Sequence, residues 1–422
     1  MISSKRWFYL FIATLTMLFL GLIYAWSIFR MPLSEIYPGW TVSQLSLTFS
    51  VSMICFCLGG FISGLLNKKL SPCARLLLSA SILFIGFFCA STIKQSDPEN
   101  SLIKLYVFYG AFCGSGVGIA YIIIISSLNR WFPDKVGLTS GIMMSGFGLG
   151  GLLLGGVVDI MITSLGVLSV FRVIGIAIAS VCVAAAFIIK VPTLSESENI
   201  ALKAGLVGSK SKGLSDVSGV VSDNTHIVDC SPVEMLQTAE FWLFAIWVIL
   251  LNSAGLLVIN SAAIISVTFE GTAVMGLIVS LFNGAGRIIA GNNFDRYGIR
   301  KSTLVNNIFM LLAGLLLVLA CISNKFFFIF VGLIFVGMSY GGCPAISSAY
   351  INRRFGTKYF SINFSITNFS LIPAAAIGPM ISSRLLEASG GNYNTNFYAI
   401  VAFAVVAATM RFMLNSVSVL NE

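Results

Sequence analysis

Arg287 is the residue whose type and position most directly imply chemistry. It lies in GLIVSLFNGAGRIIAGNNFDRYGIRK, residues 276–301, an apolar, glycine-spaced stretch that ends in a charged turn at Asp295-Arg296. At a rise of about 1.5 Å per residue, a helix puts Arg287 roughly 12 Å deeper than Asp295. A cation that deep in a bilayer is costly unless it faces a polar cavity and meets an anion. Snorkelling to the interface is the ordinary alternative, but the depth argues against it. Pairing with a buried acid is the other, but the apolar stretches hold few acids. The chemistry to expect is binding of an anion. No nucleophile–base pair and no metal-ligand spacing is visible in the apolar stretches, so neither an enzyme nor a cofactor site is expected.

Two tyrosines stand at matched places beside glycine-rich stretches, Tyr121 three residues after Gly118 and Tyr340 three after Gly337. The glycines are best explained as helix-packing positions, which leaves the tyrosines as candidate ligand contacts. Tyr24 and Trp26 close the first apolar stretch. They could form an interfacial aromatic belt, but both lie about a turn inside it, so one of them is expected to line a cavity. The nine cysteines fall mostly in apolar stretches with no CxxC pair, and His226 is the single histidine. They are read as small core residues, not as a metal or redox centre.

The elements that must position these residues are membrane helices. The chain has 422 residues, 57% hydrophobic and 10% charged, far from a soluble globular average. Stretches able to span about 30 Å of hydrocarbon fall at 7–29, 44–66, 74–93, 102–128, 137–158, 167–189, 240–265, 272–293, 302–322, 325–350, 359–383 and 396–414. The reading is therefore an all-α polytopic membrane protein with twelve transmembrane helices. Residues 1–189 form one six-helix bundle and 240–422 the other. Residues 190–239, rich in Ser, Gly, Lys and Asp, form a tether that carries His226. The first stretch is too long for a cleaved signal peptide.

The net charge of +9 is topological and does not point to nucleic acid. Lys68, Lys69, Arg130, Lys135, Arg296, Arg300, Arg353 and Arg354 fall on one set of connections. Arg30, Lys94, Lys104, Arg172, Lys325 and Arg384 are spread over the other. The positive-inside bias then places both termini and the tether in the cytoplasm, in a plasma-membrane protein read as a monomer.

The halves read as repeats. Each has a glycine-bearing helix that ends in a basic turn, at Gly64 to Lys69 and at Gly291 to Arg300, and each has an Asn-Arg turn, at Asn129-Arg130 and Asn352-Arg353. Gly291-Asn292-Asn293-Phe294-Asp295-Arg296-Tyr297-Gly298-Ile299-Arg300 matches GxxxDRxGxR, and on it the chain resembles the major facilitator superfamily. Tyr24 to Phe29 with Pro32-Leu33, Gly114-x-Gly116-x-Gly118-x-x-Tyr121, Trp131-Phe132-Pro133-Asp134-Lys135-x-Gly137 and Gly146-Phe147-Gly148-x-Gly150 resemble its oxalate/formate antiporter family.

That resemblance implies two bundles about a central site, with alternating access by rocking. It also implies that Arg287 binds a substrate carboxylate and that Tyr121 and Tyr340 line the cavity. Asp295, with Arg296, Arg300, Asp134 and Lys135, would form the cytoplasmic gate, Asp295 pairing with a base or capping a helix across the seam. Three departures matter. Helix 11 has no lysine, Ala376 standing where the oxalate carrier has one. Asn283 occupies the place of the proton-coupling aspartate of related monocarboxylate transporters. Lys68-Lys69 stands where an Asp-Arg pair is usual in the first half.

The expected function is secondary transport of a small monocarboxylate of the formate, acetate, lactate or pyruvate type. The alternatives are an oxalate/formate-type exchanger, a drug or cation exporter of the same fold, and a sensor that no longer transports.

Overall fold

The computed structural model describes residues 2–193, 196, 200, 229–259 and 261–420. Among these residues there is no strand, and 11 helices are long and apolar enough to cross a membrane. One of them, Val274–Ser323, is two spans run together. Gly298 interrupts it with φ 71° and ψ −172°, a conformation that glycine alone adopts without steric cost. This reconciles the eleven helices with the twelve expected.

The spans are α1 (Ser4–Ile36), α2 (Ser43–Leu66), α3 (Pro72–Ala90), α4 (Pro98–Asn129), α5 (Val136–Leu165), α6 (Val167–Ile188) and α7 (Ala239–Ile259). They continue with α8 (274–297), α9 (299–323), α10 (Phe326–Phe355), α11 (Phe360–Ala388) and α12 (Asn394–Ser416). Residues 201–228 of the expected tether, with His226, lie outside the described residues.

Local chemistry sets the starts. Thr41 and Gln44 form a capping box ahead of α2, and Ser71 caps α3 with Pro72 in its first turn, each satisfying amides that a helix N-terminus leaves open. α1 runs past the expected end to Ile36 and is tightened into a 3-10 turn at Gly21–Ala25. There α5 presses against it: a Cβ on Gly21 would stand 2.0 Å from the Phe147 carbonyl oxygen. α7 ends earlier than expected, at Ile259, and a separate short helix, Ala262–Thr268, follows.

Packing repeats between the halves. In the first, α1 lies on α5, α2 on α4 and α3 on α6; in the second, α7 lies on α11, α8 on α10 and α9 on α12. The halves meet along two seams, α5 against α8 and α10, and α2 against α11. Leu153, Ile160, Phe187 and Ile322 remain exposed on the outer faces, as helices facing hydrocarbon require.

Candidate functional site

α8 carries Arg287 into the α5–α8 seam, where it is only 4% exposed. Its Nη1 donates to the Met144 carbonyl of α5, and its Nε donates to Asn283 Oδ1, one turn back, at 3.2 Å. The guanidinium therefore joins the halves. It fits because α5 is bare beneath it: a Cβ on Gly148 would stand 2.7 Å from Arg287 Cζ, and one on Gly141 would stand 2.3 Å from the Arg287 carbonyl oxygen. A buried arginine costs free energy unless its donors are used. Here a carbonyl meets Nη1 and an amide oxygen meets Nε, and no carboxylate lines the surrounding cavity among the described residues.

That cavity is about 30 Å³, enough to hold ordered water. The first half contributes aromatic walls, Tyr24, Phe56, Tyr121 and Phe147. The Tyr121 ring meets Phe147 at 5.0 Å and Phe56 at 5.2 Å, while Tyr24 meets Phe147 edge-on at 5.2 Å. The second half contributes Tyr340 and a polar wall of Asn252, Ser347, Thr367, Asn368 and Ser370. Arg287 lines the same cavity as Tyr24, Tyr121 and Tyr340.

The expected site residues separate by place. Arg287, Tyr24, Tyr121 and Tyr340 share the cavity, with Asn283 directly behind the guanidinium. Trp26 is elsewhere. Its indole donates to the Leu45 carbonyl at 2.9 Å and its ring packs on Tyr109 at 4.5 Å, inside the first half. Ala376 is exposed and outside the lining, and the α11 residues that reach the cavity, Thr367, Asn368, Ser370 and Leu371, include no cation.

Asp295 closes the seam at the end that carries the linker. Its two carboxylate oxygens accept from Gly137 N at 2.9 Å and Leu138 N at 2.7 Å, capping α5 from across the seam, and Arg353 pairs with it at 3.2 Å. α5 depends on this cap, because its own Lys135 offers none. The backbones touch here: a Cβ on Gly137 or Gly291 would meet the other's carbonyl oxygen at 2.3 or 2.0 Å. The remaining expected gate residues do something different. Asp134 pairs with Arg6 at 3.0 Å and Lys135 lies over the Trp7 ring at 5.9 Å, both tying the α4–α5 turn to α1. Arg296 and Arg300 are exposed, and Arg353 is the base on Asp295.

Between Asp295 and the cavity lies a buried polar cluster that the sequence did not suggest. Ser140 Oγ of α5 donates to Asn129 Oδ1 of α4 at 3.0 Å and lies 2.9 Å from Ser348 Oγ of α10. Serines are too common in helices to announce such a cluster. Asn252 and Asn368 were legible as amides in apolar stretches.

A model of the family described as Major Facilitator Superfamily matches residues 6–379. The chain belongs to that superfamily. It is 26% identical over 410 residues to the oxalate:formate antiporter of Oxalobacter formigenes, covering 96% of this chain and 90% of that one. It is 22% identical over 405 residues to monocarboxylate transporter 12-B of Danio rerio, covering 93% and 82%. Among solved structures, the proton:xylose symporter XylE bound to 6-bromo-6-deoxy-D-glucose superposes with TM-score 0.72 at 14% identity, covering 98% and 96%. The E. coli fucose:proton symporter FucP superposes with TM-score 0.60 at 14% identity, covering 96% and 98%. The protein is thus a multi-pass membrane transporter of the major facilitator fold and not an enzyme.

Proposed function

We propose that this transporter carries small monocarboxylates, by alternating access of a first bundle, 1–189, and a second, 240–422, with the linker and both termini in the cytoplasm. The single observation that carries the reading is the cavity's charge: one guanidinium, no second cation and no acid among the described lining residues. One cation balances one carboxylate. A dianion would leave a desolvated charge unpaired, which is expensive. The relatives named an oxalate:formate antiporter and a monocarboxylate transporter support an organic anion, and the lone cation favours the monoanion.

The mechanism follows from what holds Arg287 now. A carboxylate that takes the guanidinium fork competes with the Met144 carbonyl, a contact that joins the halves. Binding then exchanges an inter-bundle hydrogen bond for a ligand bond, with Tyr121 and Tyr340 donating hydroxyls and the Asn252–Asn368 wall reading the rest of the molecule. Asp295 on the α5 N-terminus is the cytoplasmic latch, and the described contacts across the seams hold that end closed. Rocking opens it once the Arg287 link is released.

Competition by formate, lactate, pyruvate and oxalate against one labelled substrate in proteoliposomes tests the reading. Monocarboxylates are expected to compete better than oxalate. Arg287→Lys should keep part of the binding as a point charge, and Arg287→Gln should abolish it. Oxalate as the best competitor would overturn the single-cation argument.

A further inference from the structure

The two seams are related by the internal repeat, yet only one carries its acid. On the α5–α8 seam, Asp295 stands four residues after Gly291 and seals it. On the α2–α11 seam the matching close approach is Gly64 against Ile362, where a Cβ would stand 2.7 Å from the Ile362 Cα, and four residues after Gly64 is Lys68. The neighbours of Asp295 are retained. Arg130 matches Arg353 in the paired Asn-Arg turns, and Phe360-Ser361 opens α11 where Gly137-Leu138 opens α5. Only the anion is missing from the set.

What stands there instead is a cationic cavity of about 170 Å³, walled by Gly64, Asn67, Lys68, Lys358, Tyr359 and Ile362. Both ammonium groups lie over the Tyr359 ring, 5.2 and 5.4 Å from its centroid. Behind Asn67, Arg75 is 1% exposed. It gives Nη2 to Asn67 Oδ1 at 2.7 Å and Nη1 to the Ser63 carbonyl at 2.9 Å, and its Nε has no partner.

The acids on the elements packed nearby already accept hydrogen bonds, Asp229 at the edge of the site itself. Asp229 accepts from Lys358 N at 3.0 Å, Glu234 from Ser231 N at 2.6 Å, and Glu240 from Arg354 Nε at 2.6 Å. No carboxylate lines the cavity among the described residues, and like charges gathered beside a helix N-terminus favour binding of an anion from outside.

We infer that this cavity binds a phosphate-class oxyanion that supplies the missing carboxylate and latches the α2–α11 seam. The anion sits between Lys68 and Lys358 at the first turn of α11, with Asn67 and the charge of Arg75 behind it. Because Gly64 and Ile362 part when this end of the transporter opens, the anion binds the closed form, and its concentration biases the transport cycle. The same chemistry is offered by free inorganic phosphate and by the headgroup of an anionic phospholipid. The site is independent of the substrate cavity and of which carboxylate is carried.

The test uses the full chain in two preparations, phosphatidylcholine vesicles titrated with radiolabelled phosphate at constant ionic strength, and phosphatidylglycerol-containing vesicles without phosphate. Wild type is expected to bind phosphate saturably in the first and to show a raised unfolding midpoint. If the headgroup is the source, phosphatidylglycerol raises the midpoint by itself and suppresses phosphate binding. Lys68→Asp, which restores the repeat's carboxylate, should raise the midpoint without any anion and lower phosphate affinity about tenfold or more. Lys358→Gln should weaken phosphate binding without that gain, and it provides the comparison should Lys68→Asp fail to fold. Binding that survives both substitutions, or no saturable response to either anion source, overturns the inference.

Discussion

Replacing Asp295 by Asn exchanges one carboxylate oxygen for an amide nitrogen and should open the linker end of the transporter. The side chain is 8% exposed and accepts two backbone amides, at 2.9 and 2.7 Å, besides pairing with Arg353 at 3.2 Å. Asparagine keeps one acceptor oxygen and turns an amide N–H₂ toward the second backbone donor, so at least one charge-assisted bond is lost. Such bonds contribute about 1.5–3 kcal/mol each when buried, and at about 1.4 kcal/mol per factor of ten a loss of about 2–3 kcal/mol shifts the closed-to-open equilibrium about 30- to 150-fold. Arg353→Gln removes a pair whose arginine is 40% exposed, and exposed pairs contribute about 0–1 kcal/mol, so it should shift the equilibrium no more than about fivefold. The ordering is the prediction: the cap matters more than the ion pair. Spin labels introduced as unnatural amino acids at Lys69 and Tyr297, both exposed and in different halves, leave the nine native cysteines in place and report the separation of the halves. An unchanged distance distribution in Asp295→Asn, or an equal shift in Arg353→Gln, would show that the seam is held by its backbone contacts instead.

Gly148→Ala should displace the guanidinium, since its Cβ would stand 2.7–2.9 Å from Arg287 Cζ, Nη2 and Nη1; transport affinity should fall while Gly156→Ala, where nothing lies within 4 Å, leaves it unchanged. Tyr121→Phe should raise the half-saturating concentration by the loss of one hydrogen bond, about 1–1.5 kcal/mol or roughly tenfold, with transport of the labelled monocarboxylate as the measurement; no change would return Tyr121 to the aromatic packing around Phe147.

Periodicity made the helices legible, and depth made Arg287 legible, because a bilayer penalises a charge in a way that depends on position along a helix. Asp295 was legible as a seam residue through the resemblance carried by GxxxDRxGxR, whose Gly298, at positive φ, turns α8 into α9. Which gate residue partners which was not readable. Asp134 and Lys135 lie next to the seam in sequence yet turn toward Arg6 and Trp7, because a turn between two helices can present its side chains to either side. Arg353, 58 residues from Asp295 in sequence, reaches the carboxylate only once α8 and α10 are packed.

The Tyr24–Trp26 pair shows where more could have been drawn from the sequence. Residues two apart on a helix stand roughly 200° apart around its axis, so one member of such a pair facing the cavity sends the other away from it. Tyr24 lines the cavity, and Trp26 accordingly packs on Tyr109. Which of the two faces inward is set by the rotation of α1, and that rotation depends on Gly21 meeting the Phe147 carbonyl, a contact with another helix that no periodicity within α1 encodes. The same holds for Arg287. Its depth is written in α8, but its partner is a backbone carbonyl of α5, a group every residue carries. A link of that kind joins the halves without adding a second charge to the cavity, and so leaves the guanidinium able to exchange the carbonyl for a carboxylate when one arrives.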